Sequence, residues 1–364
     1  MNILILTTHL NIGGIPKYVI NLVKGLSLRH NVFVASSGGE WESVLDRLDC
    51  KLIRISLKTK FLFSLEVFKA FFIIRKFLKY NRIDVIHANT RVSQMVAFLI
   101  WKSLGIPYVS TFHGYYRFNS GRKLIKLEGI QTIAISGAVK RHLVSDLKIP
   151  LEKINCVYNG VDFDGLKFIP DNGCLKYGLV SNPVIGIVAR LSKEKNHKLL
   201  IESFSLLIND FPSAVLAIIG KGRMEDELKM LADTKGLRRK VVFIKDVSSE
   251  DILPCLDVFV LPSLEEGFGF SVVEAQYAGV PVVVSGKGGL PEIVKDKETG
   301  LVLEKNSPFA LCSALKQILS NQELRGRITA KAKKEAEDKF SIKLMAENTE
   351  QVYKKAVYLT KGDL

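Results

Sequence analysis

The sequence predicts an α/β protein built from two doubly wound domains with parallel sheets. Its 364 residues exceed the usual length of one domain, and 47% are apolar against 24% charged, as in globular proteins. Short apolar runs recur between longer helical stretches, which indicates strands buried on both faces of a sheet. Turn-forming residues without a clear period, among them Pro170, Asp171 and Asn182, place the domain boundary within residues 160–183.

The predicted strands follow one another in two groups. Seven precede the boundary, at residues 2–6, 31–36, 51–55, 84–88, 108–112, 132–135 and 155–158. Six follow it, at residues 184–188, 214–219, 241–244, 258–261, 281–284 and 301–303. We therefore expect an amino-terminal domain at 1–165 and a carboxy-terminal domain at 166–341, with a last helix at 342–364 that returns to the first domain or packs on the second.

The cysteine spacing and the hydropathy of the sequence indicate the cellular compartment of the protein. The cysteines are five in number and at least 18 positions apart, which fits neither a zinc site nor a disulfide framework. The amino terminus lacks a basic segment and a cleavage site, so it is interpreted as a strand rather than a signal peptide. Charges such as Glu66, Lys69 and Arg75 interrupt the most apolar stretch, which excludes a membrane span there. The sequence thus predicts reduced cysteines and a cytoplasmic protein.

Positive charge is concentrated in the first half of the chain. Residues 1–170 contain 24 Lys and Arg against 11 Asp and Glu, and residues 171–364 contain 28 against 26. The formal charges are therefore +13 and +2. This asymmetry indicates an anionic partner for the first domain, either lipid headgroups, nucleic acid or a phosphorylated substrate.

One predicted helix, between Phe63 and Arg82, mixes basic and aromatic residues on the same face. At 100° per residue, Phe68 and Phe72 fall among lysines and Arg75. Such a face is typical of helices that lie in an anionic membrane interface. The alternative is a helix packed on both sides, with both Phe side chains buried under the lysine stems.

In the first domain, the informative residues follow the strands, because ligands of doubly wound sheets bind at the carboxyl ends. Gly13 and Gly14 lie between the first strand and a helix, where they allow a ligand to approach the backbone or only form a tight turn. His113 directly follows the strand at 108–112, and His87 lies at the end of the strand at 84–88. Each could bind a hydroxyl-rich ligand or have a structural role.

In the second domain, Arg190 and Lys195 lie in a loop between a strand and a helix. Two cations beside a helix amino terminus suit a diphosphate. The alternative is a solvated charged loop.

A second loop of this domain carries Glu266 and Glu274 around an exposed Gly-Phe-Gly-Phe segment formed by Gly267, Phe268, Gly269 and Phe270. The two carboxylates could each accept hydrogen bonds from sugar hydroxyls. Alternatively, Ser271 and Glu274 form a capping box. A third glycine-rich loop at 286–289 is another candidate phosphate site.

Together these motifs resemble the retaining glycosyltransferases of family 4, whose fold is called GT-B. In the second domain they are Arg190-Leu191 with Lys195, the Glu266 and Glu274 pair, Ala278-Gly279-Val280-Pro281 and Gly288-Gly289-Leu290-Pro291-Glu292. In the first domain they are Gly13-Gly14, His113-Gly114 and Asn159-Gly160-Val161-Asp162. The resemblance implies two Rossmann-like domains facing a cleft.

The resemblance also implies roles for these residues. Arg190 and Lys195 would bind the donor diphosphate, Glu274 the ribose, and Glu266 with Gly267, Phe268 and Gly269 the transferred sugar. His113 would reach that sugar, and Gly13 and Gly14 would border the diphosphate and the acceptor. No metal or other cofactor is expected.

The implied enzyme is a retaining, metal-independent transferase of class EC 2.4. It would use a UDP or GDP sugar and a hydroxyl acceptor of a lipid-linked or envelope glycan, such as lipopolysaccharide or capsule. Lys245 replaces a family glycine, which leaves the base open. Two alternatives are a nucleotide-sugar epimerase or hydrolase of the same fold and a basic nucleic-acid-binding protein, although we expect no nucleic acid partner.

Overall fold

The computed structural model describes residues 1–116, 125–168, 172–180 and 183–362. The chain divides into unit 1, Met1–Gly160 with Ser341–Leu364, and unit 2, Val161–Phe340. Pro170, Asp171 and Asn182, used above to predict the boundary, lie outside the described residues.

Unit 1 contains a parallel sheet of seven strands, β1 to β7 in chain order. Their bounds are Asn2–Leu6, Asn31–Ser36, Lys51–Arg54, Val85–Ala88, Tyr108–Phe112, Gln131–Ala134 and Ile154–Cys156. The order across the sheet is β3-β2-β1-β4-β5-β6-β7. The helices that cover it are α1 Gly14–Ser27, α2 Glu42–Arg47, α3 Leu65–Leu78, α4 Arg91–Leu104 and α5 Gly137–Ser145.

Unit 2 contains a second parallel sheet, of six strands, β8 to β13. Their bounds are Val184–Val188, Val215–Ile219, Val241–Ile244, Val258–Leu261, Val282–Ser285 and Leu301–Leu303, in the order β10-β9-β8-β11-β12-β13. The helices are α6 Asn172–Lys176, α7 His197–Leu207, α8 Glu225–Thr234, α9 Ser249–Ile252, α10 Phe270–Tyr277, α11 Leu290–Ile293, α12 Pro308–Ser320 and α13 Gln322–Lys339. The last helix, α14 Ile342–Gly362, belongs to unit 1.

The predicted fold class is confirmed, and each predicted strand is present within two residues at either end. The reason is burial on both faces. All residues of β4, β9 and β11 are buried, so continuous apolar runs mark these strands without any alternation.

Strand order reverses once in each sheet, between β1 and β4 and between β8 and β11. At such a switch point the two flanking loops leave in opposite directions and open a crevice at the carboxyl ends of the strands. Ligands are therefore expected beyond β1 and β4 in unit 1 and beyond β8 and β11 in unit 2.

Helix α14 packs closely on α1. The α1 stripe of Tyr18, Leu22 and Leu26 is buried, as its spacing predicts. A Cβ at Gly25 would lie 2.7 Å from the Cβ of Ala346, so only glycine allows this approach between the two helices. On α14, Tyr353 is fully buried.

Helix α3 presents aromatic side chains to solvent. Its buried face consists of Val67, Ala70, Phe71 and Ile74. Phe68 and Phe72 are 40% and 62% exposed, so the alternative that both are buried under lysine stems is wrong. No described helix is long and apolar enough to cross a membrane.

The expectation that all cysteines are reduced is corrected by one disulfide. Cys174 of α6 bonds to Cys255, which follows α9, across 81 residues of sequence. The fold brings α6 against α9, and sequence spacing alone does not reveal such a pairing. Cys50, Cys156 and Cys312 are not disulfide-bonded.

Candidate functional site

In unit 2, the loops after β8 and β11 are tied together at the switch point. The backbone N–H of Leu264 donates to the carbonyl of Glu194 at 2.8 Å. The side-chain amide of Asn196 donates to the carbonyl of Pro262 at 3.3 Å. Residues 190–196 and 262–267, far apart in sequence, therefore form one surface at the carboxyl edge of the sheet.

Lys195 and Glu266 form an ion pair on this surface. Their side chains are 22% and 13% exposed, so the pair is largely shielded from water. Ser263 donates its hydroxyl to the same Glu266 carboxylate at 3.4 Å. The structure thus brings together two of the predicted site residues, one cation and one acid. The solvated-loop alternative does not describe Lys195.

Arg190 is held more loosely. Its guanidinium donates to the Glu194 carboxylate at 3.1 Å, and its side chain is 71% exposed. Arg190 and Glu194 follow the same strand, so this pair is local. A pair so exposed contributes little to stability, and the guanidinium can turn toward an incoming anion.

The loop after β12 packs on Glu266 from the other side. Gly289 donates its N–H to the carbonyl of Glu266 at 2.9 Å. Gly288 has φ +64, and a Cβ there would clash with that carbonyl. The Gly289 amide is therefore bonded within the protein. Gly288 and Gly289 fix the backbone that carries Glu266.

The segment from Gly267 to Glu274 begins helix α10. The N-cap is Gly269, with φ 110, so Ser271 lies inside the helix and the capping-box alternative is wrong. Phe268 is 2% exposed and packs on the rings of Phe270 and Phe340, each at 5.5 Å. The expectation of a wholly exposed Gly-Phe-Gly-Phe segment is therefore corrected.

Glu274 is a buried acid, 2% exposed, in the second turn of α10. Gly267 is half-buried between Glu266 and Phe268. A carboxylate is costly to bury without partners, so the buried Glu274 side chain needs specific polar contacts. The structure records such a contact for Glu274.

Lys245, at the end of β10, pairs with Glu225 at 2.7 Å. Its partner is the first residue of α8. The loop after β10 therefore begins with a lysine side chain that is paired with an acid.

In unit 1, His113 follows β5 and is fixed by two neighbours. Its Nε2 lies 3.1 Å from Oδ1 of Asn89, and its ring packs edge-on against Tyr18 at 4.7 Å. Burial lowers the pKa of His113 to about 3, so the imidazole is neutral near pH 7. Because an amide oxygen only accepts, Nε2 carries the proton and Nδ1 is an acceptor.

Asn89 follows β4, beside the switch point, and was not singled out from the sequence. Its backbone N–H donates to the carbonyl of Leu6 at 3.0 Å, which ties it to the end of β1. The signal that could have found it is position: it directly follows a strand, as His113 does.

His87 has a structural role. It is fully buried, and its two ring nitrogens lie 2.6 Å from the hydroxyls of Tyr353 and Thr111. Burial lowers its pKa to about 3, with a smaller contribution from His113. This network joins α14 to the sheet beneath His113.

Gly13 and Gly14 begin α1, with Gly13 as the N-cap. No atom of the described residues lies within 4 Å of a Cβ built at Gly14, so its local geometry does not require glycine. The surface beside it is open to solvent. Among the described residues, no group of three His, Cys, Asp or Glu side chains is arranged to hold a metal ion.

Two family models match consecutive parts of the chain. The model described as Glycosyltransferase Family 4 matches residues 12–164, and the model described as Glycosyl transferases group 1 matches residues 177–335. Together they cover most of both units.

Individual proteins give the same result. An uncharacterized glycosyltransferase of Methanocaldococcus jannaschii is 31% identical over 299 residues, 76% of each chain. The Escherichia coli enzyme named UDP-Gal:alpha-D-GlcNAc-diphosphoundecaprenol alpha-1,3-galactosyltransferase is 29% identical over 70% of this chain and 71% of its own. The crystal structure of Anabaena HepE in complex with UDP and glucose matches with a TM-score of 0.86 and 21% identity, covering 98% of this chain and 100% of that one. The chain is thus a member of glycosyltransferase family 4, with the GT-B fold.

Proposed function

We propose that this protein is a retaining glycosyltransferase that transfers a sugar from a nucleotide-diphosphate sugar to a hydroxyl acceptor. The observation that carries this proposal is the shielded Lys195–Glu266 pair at the switch point of unit 2. A cation and an acid in contact suit a ligand that joins an anionic diphosphate to a polyhydroxylated sugar.

The donor is proposed to bind unit 2 through both charges. Lys195 and Arg190 bind the diphosphate oxygens, while Glu266 accepts hydrogen bonds from hydroxyls of the sugar. Glu274 is assigned to the ribose hydroxyls, and Gly267, Phe268 and Gly269 shape the loop around the sugar. Without a ligand, the ion pair with Glu266 keeps the Lys195 ammonium in position. When the donor binds, its diphosphate competes with Glu266 for this ammonium.

The proposed reaction proceeds on one face of the sugar. The bond between the anomeric carbon and the diphosphate oxygen breaks, and a bond from that carbon to the acceptor oxygen forms on the same face. The departing phosphate oxygen takes the proton of the acceptor hydroxyl. Negative charge grows on the diphosphate during this step, and fixed cations at Lys195 and Arg190 stabilise it.

His113 is proposed to bind the transferred sugar from unit 1. Its neutral ring with an accepting Nδ1 can take a hydrogen bond from a sugar hydroxyl. Gly13 and Gly14 are proposed to leave room for the diphosphate and acceptor. We assign no metal or organic cofactor to the reaction.

The test is an assay of transfer with UDP, GDP and ADP sugars. Thermal shifts first identify the nucleotide, because a ligand that binds only the folded protein stabilises it. NMR of the purified product then gives the anomeric configuration. Retention with net transfer supports the proposal. Free sugar in place of transferred sugar indicates a hydrolase, an epimerised donor indicates an epimerase, and inversion contradicts the proposed mechanism.

The acceptor is proposed to be a lipid-linked or envelope glycan, reached on the cytoplasmic face of a membrane. The surface that supports this is the α3 surface, defined by six exposed apolar residues: Phe61, Phe63, Leu65, Phe68, Phe72 and Ile73. Residues 51–82 also contain nine Lys and Arg and a single Glu. Apolar burial and attraction to anionic lipid would act together there.

Vesicle flotation tests the membrane proposal. The wild-type chain should float with phosphatidylglycerol vesicles and less with phosphatidylcholine vesicles. Replacing Phe61, Phe63 and Phe72 with Ser should abolish flotation. The matched control is Met230→Ser with Phe309→Ser, which removes exposed apolar side chains from unit 2. Equal flotation of both variants would contradict a role for the α3 surface.

A further inference from the structure

A pocket of about 500 Å³ opens at the carboxyl edge of the unit 1 sheet. Its walls come from the loops after β1, β2 and β3, including Thr8, His9, Ser37 and the segment from Leu57 to Lys60. This volume is in the range of small-molecule sites. None of the residues assigned above to donor binding lines it.

The pocket walls are fixed by backbone contacts. Leu10 donates its N–H to the carbonyl of Gly38 at 2.9 Å, and Ser37 donates its N–H to the carbonyl of Thr8 at 3.2 Å. Gly39 packs directly on the backbone of Asn11, where a Cβ would clash. The shape of the pocket is therefore set by the fold.

Lys58 and Lys60 supply positive charge to this pocket. The side chains of Ile55 and Leu57 are buried, whereas those of Lys58 and Lys60 are exposed. Both lysines line the pocket, and within the described ranges neither forms an ion pair.

The nearby acids are already bound elsewhere. Glu42 pairs with Arg54 and accepts the N–H of Gly39 at 2.7 Å. Glu40 accepts the N–H of Ile12 at 2.7 Å. Neither acid lines the pocket, so the cationic charge of Lys58 and Lys60 is left for a ligand.

Hydrogen-bond donors add to this charge. The Nδ1 of His9 accepts the N–H of Asn11 at 3.2 Å, so the other ring nitrogen is the donor. Two ammonium groups and an imidazole N–H at the rim of this pocket suit a phosphate, which lysine binds as a point charge.

We propose that this pocket is the binding site for a phosphate group of the acceptor, with Lys58 and Lys60 as its cationic ligands. Its role in acceptor binding depends on the transferase function proposed above. Two sources share this chemistry, a soluble phosphate ester and a lipid phosphate. The pocket segment continues directly into Phe61 and Phe63 of the α3 surface, so a lipid phosphate would be bound beside the bilayer headgroups.

The test is equilibrium binding by the full chain. The soluble probe is glycerol 3-phosphate, and the lipid probe is farnesyl phosphate in phosphatidylcholine vesicles, compared with phosphatidylglycerol vesicles of equal charge. We expect one or both phosphate probes to bind, and Lys58→Ala with Lys60→Ala to weaken binding on the order of tenfold for each lysine. Selective binding of farnesyl phosphate identifies a lipid source, and binding of glycerol 3-phosphate a soluble one.

Controls separate charge, folding and the transferase proposal. Lys102→Ala with Lys343→Ala removes two exposed lysines of unit 1 outside the pocket and outside residues 51–82, and should leave binding unchanged. Lys58→Arg with Lys60→Arg should restore it. Lys195→Ala should weaken nucleotide binding but not phosphate-probe binding, so the two proposals can fail separately. Equal affinity of the wild-type chain and the Lys58→Ala, Lys60→Ala variant, or equal losses in the control pair, would overturn the pocket assignment.

Discussion

The two units treat positive charge differently. In unit 2, cations at the carboxyl edge are paired with acids: Arg190 with Glu194, Lys195 with Glu266, Lys221 with Asp246 and Lys245 with Glu225. In unit 1, Lys58 and Lys60 line a pocket without such partners among the described residues. Unit 2 therefore holds its cations in position by itself, whereas unit 1 leaves charge to be neutralised from outside. We therefore expect the two units to bind anions differently. In unit 2 the anion displaces an acid from its ion pair, and in unit 1 it binds directly to the lysines.

The largest effect should come from breaking the paired cation of unit 2. Lys195→Ala removes a charge from the proposed diphosphate site, and we expect turnover to fall by about two to three orders of magnitude. Arg190→Ala should act in the same direction with a smaller loss, because its side chain is more exposed. Steady-state kinetics with the donor identified by thermal shift measure this.

Lys193→Ala is the matched control, since Lys193 is exposed in the same short turn. It should retain wild-type turnover. Unchanged kinetics in the Lys195, Arg190 and Glu274 alanine variants together would refute the donor-site assignment.

The disulfide should distinguish the units by stability. It closes 81 residues of unit 2, and loss of such a crosslink costs about 2–4 kcal/mol of unfolding free energy. Cys174→Ser, or reduction, should lower the midpoint of unit 2 in calorimetry and leave unit 1 unchanged. Cys156→Ser is the control, because Cys156 is exposed and not part of the disulfide. Identical melting of oxidised and reduced protein would show that the bond is not formed in solution.

Acid should destabilise unit 1 through its buried histidines. The pKa of His87 falls from 6.5 to about 3 in the folded chain, because of burial, and that of His113 also falls to about 3. Between these values the unfolded chain binds protons that the folded chain does not. The contribution of these histidines to the free energy of unfolding is therefore fully present above pH 6.5. It decreases toward pH 3, by at most about 1.4 kcal/mol per pH unit for each histidine.

Urea unfolding at a series of pH values measures this slope. His87→Gln should make it shallower, whereas His197→Gln, which changes a residue of unit 2, should leave the slope of unit 1 unchanged. His197 of unit 2 has a pKa lowered to about 4 by burial, so unit 2 should show one such contribution. A pH-independent stability of unit 1 between pH 6.5 and 4 would contradict the argument.

The smallest effect concerns a positioning residue of unit 1. Asn89→Ala removes the acceptor that orients His113, and the loss of one hydrogen bond should lower kcat/KM by about tenfold or less. Asn89→Asp keeps an acceptor oxygen and should raise the pKa of His113, which shifts the acidic limb of the pH profile. A structural role alone would change stability without moving that limb.

Much of the fold could be predicted because continuous apolar runs reveal strands buried on both faces, such as β9 and β11. The placement of Phe68 and Phe72 on the basic face was also predictable, since angular position on a helix depends only on spacing, whereas their exposure was one of two open alternatives. The Cys174–Cys255 bond was not, because 81 residues separate its ends.

The residues of the candidate site could be predicted where they lie together in a short motif. Contacts and cavities that form between distant segments could not be predicted. The charged residues of the second domain lie within short motifs, and the structure joins Lys195 to Glu266. Burial of Phe268 depends on Phe340, which is distant in sequence. The unit 1 pocket requires three loops, after β1, β2 and β3, and no single segment contains its pattern.

The return of α14 to unit 1 has a consequence for synthesis. Unit 2 is an uninterrupted segment, whereas unit 1 needs α14 to cover α1 and to supply the Tyr353 partner of His87. During translation, unit 1 must therefore wait until the ribosome has made α14, whereas unit 2 is complete in sequence before α14 is made. A released chain truncated after Phe340 would contain all of unit 2, whereas its unit 1 would lack the helix that packs on Gly25 of α1.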